Sequence, residues 1–269
     1  MKKRFGYIIS LAAALVVFSA CSSSNNSSDS SSSTTSEEKV LKVGSTGQSY
    51  PNGYKENDKL VGFDVEVLET IAKDLGYKVE WTTTDFSGLM AQLESGKLDT
   101  VANAVAMTDE RKETYNFADP YSYYGAQIVT STKNTDINSL DDLKGKTVAG
   151  VLGSNNLKNL QAYDKNGDIT IRTYETRDGA LQDAVNNRVD GYINSRPILA
   201  AEIKKSNLAL KYVGDPIAYE SVSFPFAKTE VGSKLAKEFS TEIKKLRESG
   251  KLKELSEKYF GEDITEETK

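Results

Sequence analysis

The chain has no histidine and a single cysteine among its 269 residues. Without histidine there is no Ser-His-Asp triad, no imidazole general base and no histidine-ligated zinc. One cysteine, Cys21, cannot close an internal disulfide, and no Cys/His cluster is available to a metal. Positive charge is also short, with 34 Lys and Arg against 39 Asp and Glu, a net charge of −5. An acidic chain without a basic stripe is poorly suited to nucleic acid. The longest apolar run, residues 7–20, is too short to span a bilayer together with its flanks. What remains, 38% hydrophobic and 27% charged, suits a globular protein of one or two domains.

The amino terminus accounts for the lone cysteine. "MKKRF" is a basic n-region, residues 7–20 make an apolar h-region, and "VVFSAC" places small residues before Cys21. The pattern resembles a bacterial lipobox, with Phe18 where leucine is more usual. It implies a signal peptide over 1–20 and a lipidated Cys21 tethered to the outer face of a membrane. The following "SSSNNSSDSSSSTTSEE" has no apolar residue, so residues 21–39 are expected to form a disordered spacer.

From Val40, short apolar runs alternate with amphipathic ones. Strands are expected at 40–46, 77–84 and 100–107, with a helix over 61–76 and a helix, Gly stop and re-entry over 86–99. A second round repeats the order: strand 146–151, a Gly-polar turn "LGSNN", a helix, the strand "DITIRTYET", and then a helix, a turn and a short strand over 178–195. This alternation is that of α/β layers with a mainly parallel sheet. Two helices close the chain, the first with Leu235, Phe239, Ile243 and Leu246 on one stripe. Two such halves leave a cleft between them, where small ligands usually bind.

Five segments carry a resemblance: "LVGFDVEVLETIAKDLGYKVE", "FSGLMAQLESGKLDTV", "MTDERKETYNFADPYSYYG", "SLDDLKGKTVAGVLGS" and "LRESGKLKELSEKYFG". Their order resembles that of extracellular solute-binding proteins of polar amino-acid ABC transporters, family 3, over roughly Val40 to Gly261. The resemblance implies a two-lobed, type II periplasmic-binding-protein-like α/β fold joined by two hinge strands. Lobe 1 would take 40–130 plus 223–269 and lobe 2 would take 131–222, with crossings near 128–132 and 222–226. It further implies a monomeric receptor without cofactor that hands one amino acid to a membrane permease. "YINSRPILAAEIKKS" and "LSEKYFGEDITE" are similar to Gram-positive cystine-binding members, which points to L-cystine first. Glutamine or a cationic amino acid is the alternative within the family.

The site residues follow from that resemblance. The arginine of the T-x-E-R turn, here Arg111 after Thr108, grips the ligand carboxylate; a guanidinium offers a planar fork and stays charged when desolvated. Tyr50 and Phe86 stand where relatives place rings against the ligand. The backbone of Asn103, Ala104 and Ala106 adds contacts, and Gly153, Ser154 and Asn155 present N–H groups at a helix N-terminus. Ser195 stands where the family commonly has the aspartate that accepts the ligand ammonium, so that contact is left without an owner. Some enzymes share this fold, but Asp85, Asp178 and Glu220, the acidic residues without an assigned task, make no compelling catalytic acid. A sensor or adhesin is the remaining alternative.

Overall fold

The computed structural model describes residues 39–267. The expected signal peptide, Cys21 and nearly all of the expected spacer lie outside them. The chain opens with β1 (Lys39–Ser45), a small hairpin sheet of β2 (Gln48–Ser49), β3 (Gly53–Glu56) and β4 (Lys59–Val61), and α1 (Phe63–Asp74). Then come β5 (Tyr77–Thr83), α2 (Phe86–Glu94), β6 (Thr100–Val101), α3 (Asp109–Thr114), β7 (Tyr115–Phe117) and β8 (Ser122–Ser131). The second half holds β9 (Thr147–Val151), α4 (Asn155–Tyr163), β10 (Thr170–Tyr174), α5 (Arg177–Val185), β11 (Gly191–Ser195) and α6 (Arg196–Ser206). The chain then runs through β12 (Leu210–Val222), β13 (Pro225–Ala227), α7 (Glu230–Glu248) and α8 (Lys251–Phe260).

These strands make two five-stranded sheets of matching design. One is ordered β5-β1-β6-β13-β7 and the other β10-β9-β11-β8-β12. In each, three parallel strands lie in the order second, first, third, and an antiparallel strand follows. That is the two-lobed α/β fold. The second sheet is covered on both faces, because neighbouring residues on one strand serve different cores. Ile128 and Ile193 pack with Val148 and Leu160, while Val129 and Tyr192 pack with Ala149 and Leu199.

The expected division at residue 130 falls inside β8, every paired residue of which belongs to the second sheet. The first crossover is therefore at 118–122, earlier than 128–132. There it runs beside the return crossover: Tyr121 donates to the Val222 carbonyl, and the Ser223 hydroxyl donates to the carbonyls of Ala118 and Asp119. Aromatic packing fixes this junction. Tyr121 stacks on Phe224 at 4.4 Å and 23°, and Phe239 from α7 meets both Phe224 and Phe226 edge-on. Each of these buried rings contributes about 1.5–3 kcal/mol of apolar burial. Leu235, Phe239, Ile243 and Leu246 form the buried stripe of α7, at the spacing read in the sequence.

"SLDDL" makes a 3-10 turn, with Asp142 accepting from the backbone of Asn138 and Ser139. One local expectation changed. The strand expected at 100–107 stops at Val101. Beyond it, Ala104 takes a left-handed φ of 49°, and Ala106 makes a single bridge to Val222. The Ala104 N–H donates to buried Asp64 at 2.6 Å instead of joining a ladder. A left-handed alanine costs energy that such a fixed partner must offset.

Candidate functional site

A cavity of about 360 Å³ opens between the lobes, at the small end of the range for small-molecule pockets. Its first-lobe wall includes Thr46, Asn52, Phe86, Asn103, Ala104, Ala106 and Arg111. Facing them are Ser154, Asn155, Asn156, Arg177, Asn194, Ser195 and Glu220.

Arg111 is held by its own short helix. Thr108 caps α3 by accepting from the Arg111 backbone N–H at 3.2 Å, which aims the side chain along the cleft floor. Its Nη1 donates to the Ala106 carbonyl at 3.1 Å and its Nη2 to the Gly153 carbonyl of the opposite lobe at 3.2 Å. The Phe86 ring lies under the guanidinium at 5.4 Å, a cation–π contact. Burial lowers the affinity of Arg111 for its proton, and Glu220 opposes that shift. Arginine starts so high that the group stays a cation.

Phe86 thus lies in the cleft, where it backs the arginine. Asn103 works on the protein itself: its Oδ1 accepts from the Thr46 N–H at 3.0 Å and the Thr46 hydroxyl at 2.8 Å. Ala104 and Ala106 line the cavity, but the Ala104 N–H is taken by Asp64 and the Ala106 carbonyl by Arg111. Ser154 caps α4 by accepting from the Leu157 N–H at 3.2 Å. Asn155 turns its side-chain amide onto Glu220. Gly153 does not line the cavity; it reaches across toward the first lobe through its carbonyl.

Tyr50 is placed differently from expectation. The β2–β3 hairpin pairs Gln48 with Tyr54 and brings Tyr50 edge-on to Tyr54 at 4.9 Å. Both rings then face Lys205 of α6, whose ammonium sits 3.7 Å from the Tyr50 centroid. Tyr50 is therefore not among the lining residues; it links the hairpin to the second lobe. Three more contacts tie the lobes together: Arg111 to Gly153, Ser87 to the Leu152 carbonyl at 3.4 Å, and Lys158 to Glu110 at 2.5 Å.

The second-lobe wall is mostly neutral. Ser195 donates its N–H to Asn194 Oδ1 at 2.8 Å, and Asn156 donates to that same oxygen at 3.2 Å. Asn194 also donates to the Tyr192 hydroxyl at 2.8 Å. Three charged residues, Glu175, Arg177 and Glu220, break this pattern. Arg177, buried at the first turn of α5, has Nη2 2.8 Å from Glu202, while Nε and Nη1 meet no acceptor among the described residues. Glu220 on β12 is held by the amides of Asn155 and Asn159. Burial raises its pKa, and the Asn159 hydrogen bond and Arg111 pull it back.

Sequence reasoning missed Arg177, and it noted Glu220 only to set it aside. The signal for Arg177 was available: "YETRD" is a strand end, a Thr cap and a helix start, the same grammar as "MTDER". Glu220 had no such signal, since only the crossing of β12 from one lobe to the other carries it into the cleft.

Two sheets of equal design, two crossovers and a cavity between them define a two-lobed binding protein that takes a small solute. Residues 41–262 match the bacterial extracellular solute-binding proteins, family 3, and the chain belongs to that family. It is 59% identical over 232 residues to the probable amino-acid-binding protein YxeM of Bacillus subtilis (strain 168), covering 86% of this chain and 88% of that one. To the L-cystine-binding protein TcyA of the same organism it is 36% identical, covering 84% and 83%. Among solved structures, an ancestral arginine-binding protein bound to arginine superposes with a TM-score of 0.77 at 33% identity, over 82% of this chain and 98% of that one.

Proposed function

We propose that this protein is a lipid-anchored extracellular receptor for a polar amino acid, L-cystine first, which it delivers to an ABC permease. The observation that carries the reading is Arg111. A buried guanidinium is fixed at the cleft floor by Thr108, Ala106 and Phe86, as a carboxylate clamp requires. The names of its relatives support an amino acid. Cystine carries a carboxylate at each end, and the second buried guanidinium, Arg177 on the opposite wall, suits the far end.

A cationic amino acid is the second reading. The likeness to an arginine-binding protein favours it, as do three carboxylates on the cavity wall: Asp85, Glu175 and Glu220. Titration calorimetry with L-cystine, L-arginine, L-histidine and L-glutamine separates the two. Cystine should bind most tightly; a clear preference for another of the four removes the cystine assignment, and no binding by any removes the amino-acid reading.

A further inference from the structure

An α-amino acid held by its carboxylate presents its ammonium one carbon away, so the ammonium acceptor must lie beside the carboxylate clamp. Ser195, Asn194 and Asn156 supply no charge and are bonded to one another. Among the cavity's carboxylates, Asp85 is exposed and caps α2 by accepting from the Gly88 N–H at 2.8 Å. Glu175 is exposed as well. Glu220 is the remaining one, and it is largely buried on the crossing strand β12, an electrostatic neighbour of Arg111. Its Oε1 takes the amides of Asn155 and Asn159, while its Oε2 takes no donor among the described residues.

We infer that Glu220 accepts the α-ammonium of the ligand, and that it confines the site to ligands that carry one. The inference rests on the amino-acid reading above. A carboxylate beside Arg111 works against a ligand that brings only another carboxylate, because two anions then share one guanidinium. A zwitterion removes the conflict, with its carboxylate meeting Arg111 and its ammonium meeting Glu220. The two asparagines fix the acceptor in place, since each is a neutral donor that orients the carboxylate without neutralising it. A buried charge left without a partner is costly, so the penalty for a missing ammonium is large.

The test pairs each amino acid with its desamino counterpart. Calorimetry on the parent and on Glu220→Gln compares L-cystine with 3,3′-dithiodipropionate, L-arginine with 5-guanidinopentanoate, and L-glutamine with glutaramate. The parent should prefer the amino acid of whichever pair it binds by roughly thirty-fold or more. In Glu220→Gln, which retains an oxygen for the Asn155 and Asn159 amides, the preference should shrink to within a few fold. Glu220→Asp should keep part of it, and this variant carries the test if the glutamine variant melts early. An undiminished preference in the variants overturns the role of Glu220 and leaves the amino-acid reading standing. A parent that binds none of the three amino acids overturns both.

Discussion

Arg111 of the first lobe donates to the carbonyl of Gly153 in the second at 3.2 Å, so the proposed ligand clamp is also a bond across the cleft. A carboxylate held at this point meets a guanidinium already aimed by Thr108 and backed by Phe86. Losing one partner of such a desolvated pair costs about 2–5 kcal/mol. At about 1.4 kcal/mol per decade, Arg111→Ala should weaken amino-acid binding roughly thirty-fold to a few thousand-fold by calorimetry. Arg111→Lys should recover only part, because an ammonium lacks the planar fork. The alanine variant should also melt earlier, since the Ala106 carbonyl loses its buried donor. Parent-like affinity in Arg111→Ala would place the clamp elsewhere.

The other end of that bond allows a separate test. Gly153 has a φ of +74°, and a Cβ there would meet the Ser87 hydroxyl of the facing lobe at 2.9 Å. Gly153→Ala should therefore act on the approach of the lobes more than on either core. Small-angle scattering at saturating ligand should show a larger particle than the parent, with weaker binding. Identical scattering curves and affinities would show that the lobes tolerate the methyl group.

Much of this architecture was legible in the sequence, and the reasons are local. The stripe on α7 and the alternation of strands and helices are set by apolar spacing within a few residues. Thr108 as a cap and Arg111 in the first turn of α3 could be read for the same reason. Tyr50 could not, because its position depends on a hairpin register and on Lys205, which is far away in sequence. The crossover at 118–122 escaped for a similar reason: β8 reads as one apolar strand, and only its pairing assigns it wholly to the second sheet. Glu220 reaches the cleft only through β12, and its partners Asn155 and Asn159 lie on α4.

The anchor can be checked independently of the ligand. If "VVFSAC" directs lipid to Cys21, the mature protein should partition with membranes. Cys21→Ala should release it into the medium or the soluble fraction while leaving calorimetric affinity unchanged. Equal membrane association of the two proteins would remove the lipoprotein assignment.

Asp64 gives the fold a dependence on pH that can be isolated. It is completely buried at the start of α1, and one oxygen accepts from the left-handed Ala104 while the other meets no donor among the described residues. Burial pushes its pKa up to about 7, against the pull of the Ala104 N–H. The unfolded chain should keep the ordinary value near 3.8. Between these two values the folded protein holds a proton that the unfolded chain has released. Rising pH therefore costs stability across about pH 4 to 7, to a limit on the order of 4 kcal/mol. Asp64→Asn keeps an acceptor for Ala104 and cannot ionise, so it lacks this loss. Urea unfolding of parent and variant at pH 4 and pH 7.5 cancels the other titrating groups, which the two share. The variant should gain stability relative to the parent on moving to pH 7.5. A difference that does not change with pH would mean that Asp64 is already ionised in the folded protein at pH 4, with its charge offset by groups around the Ala104 turn.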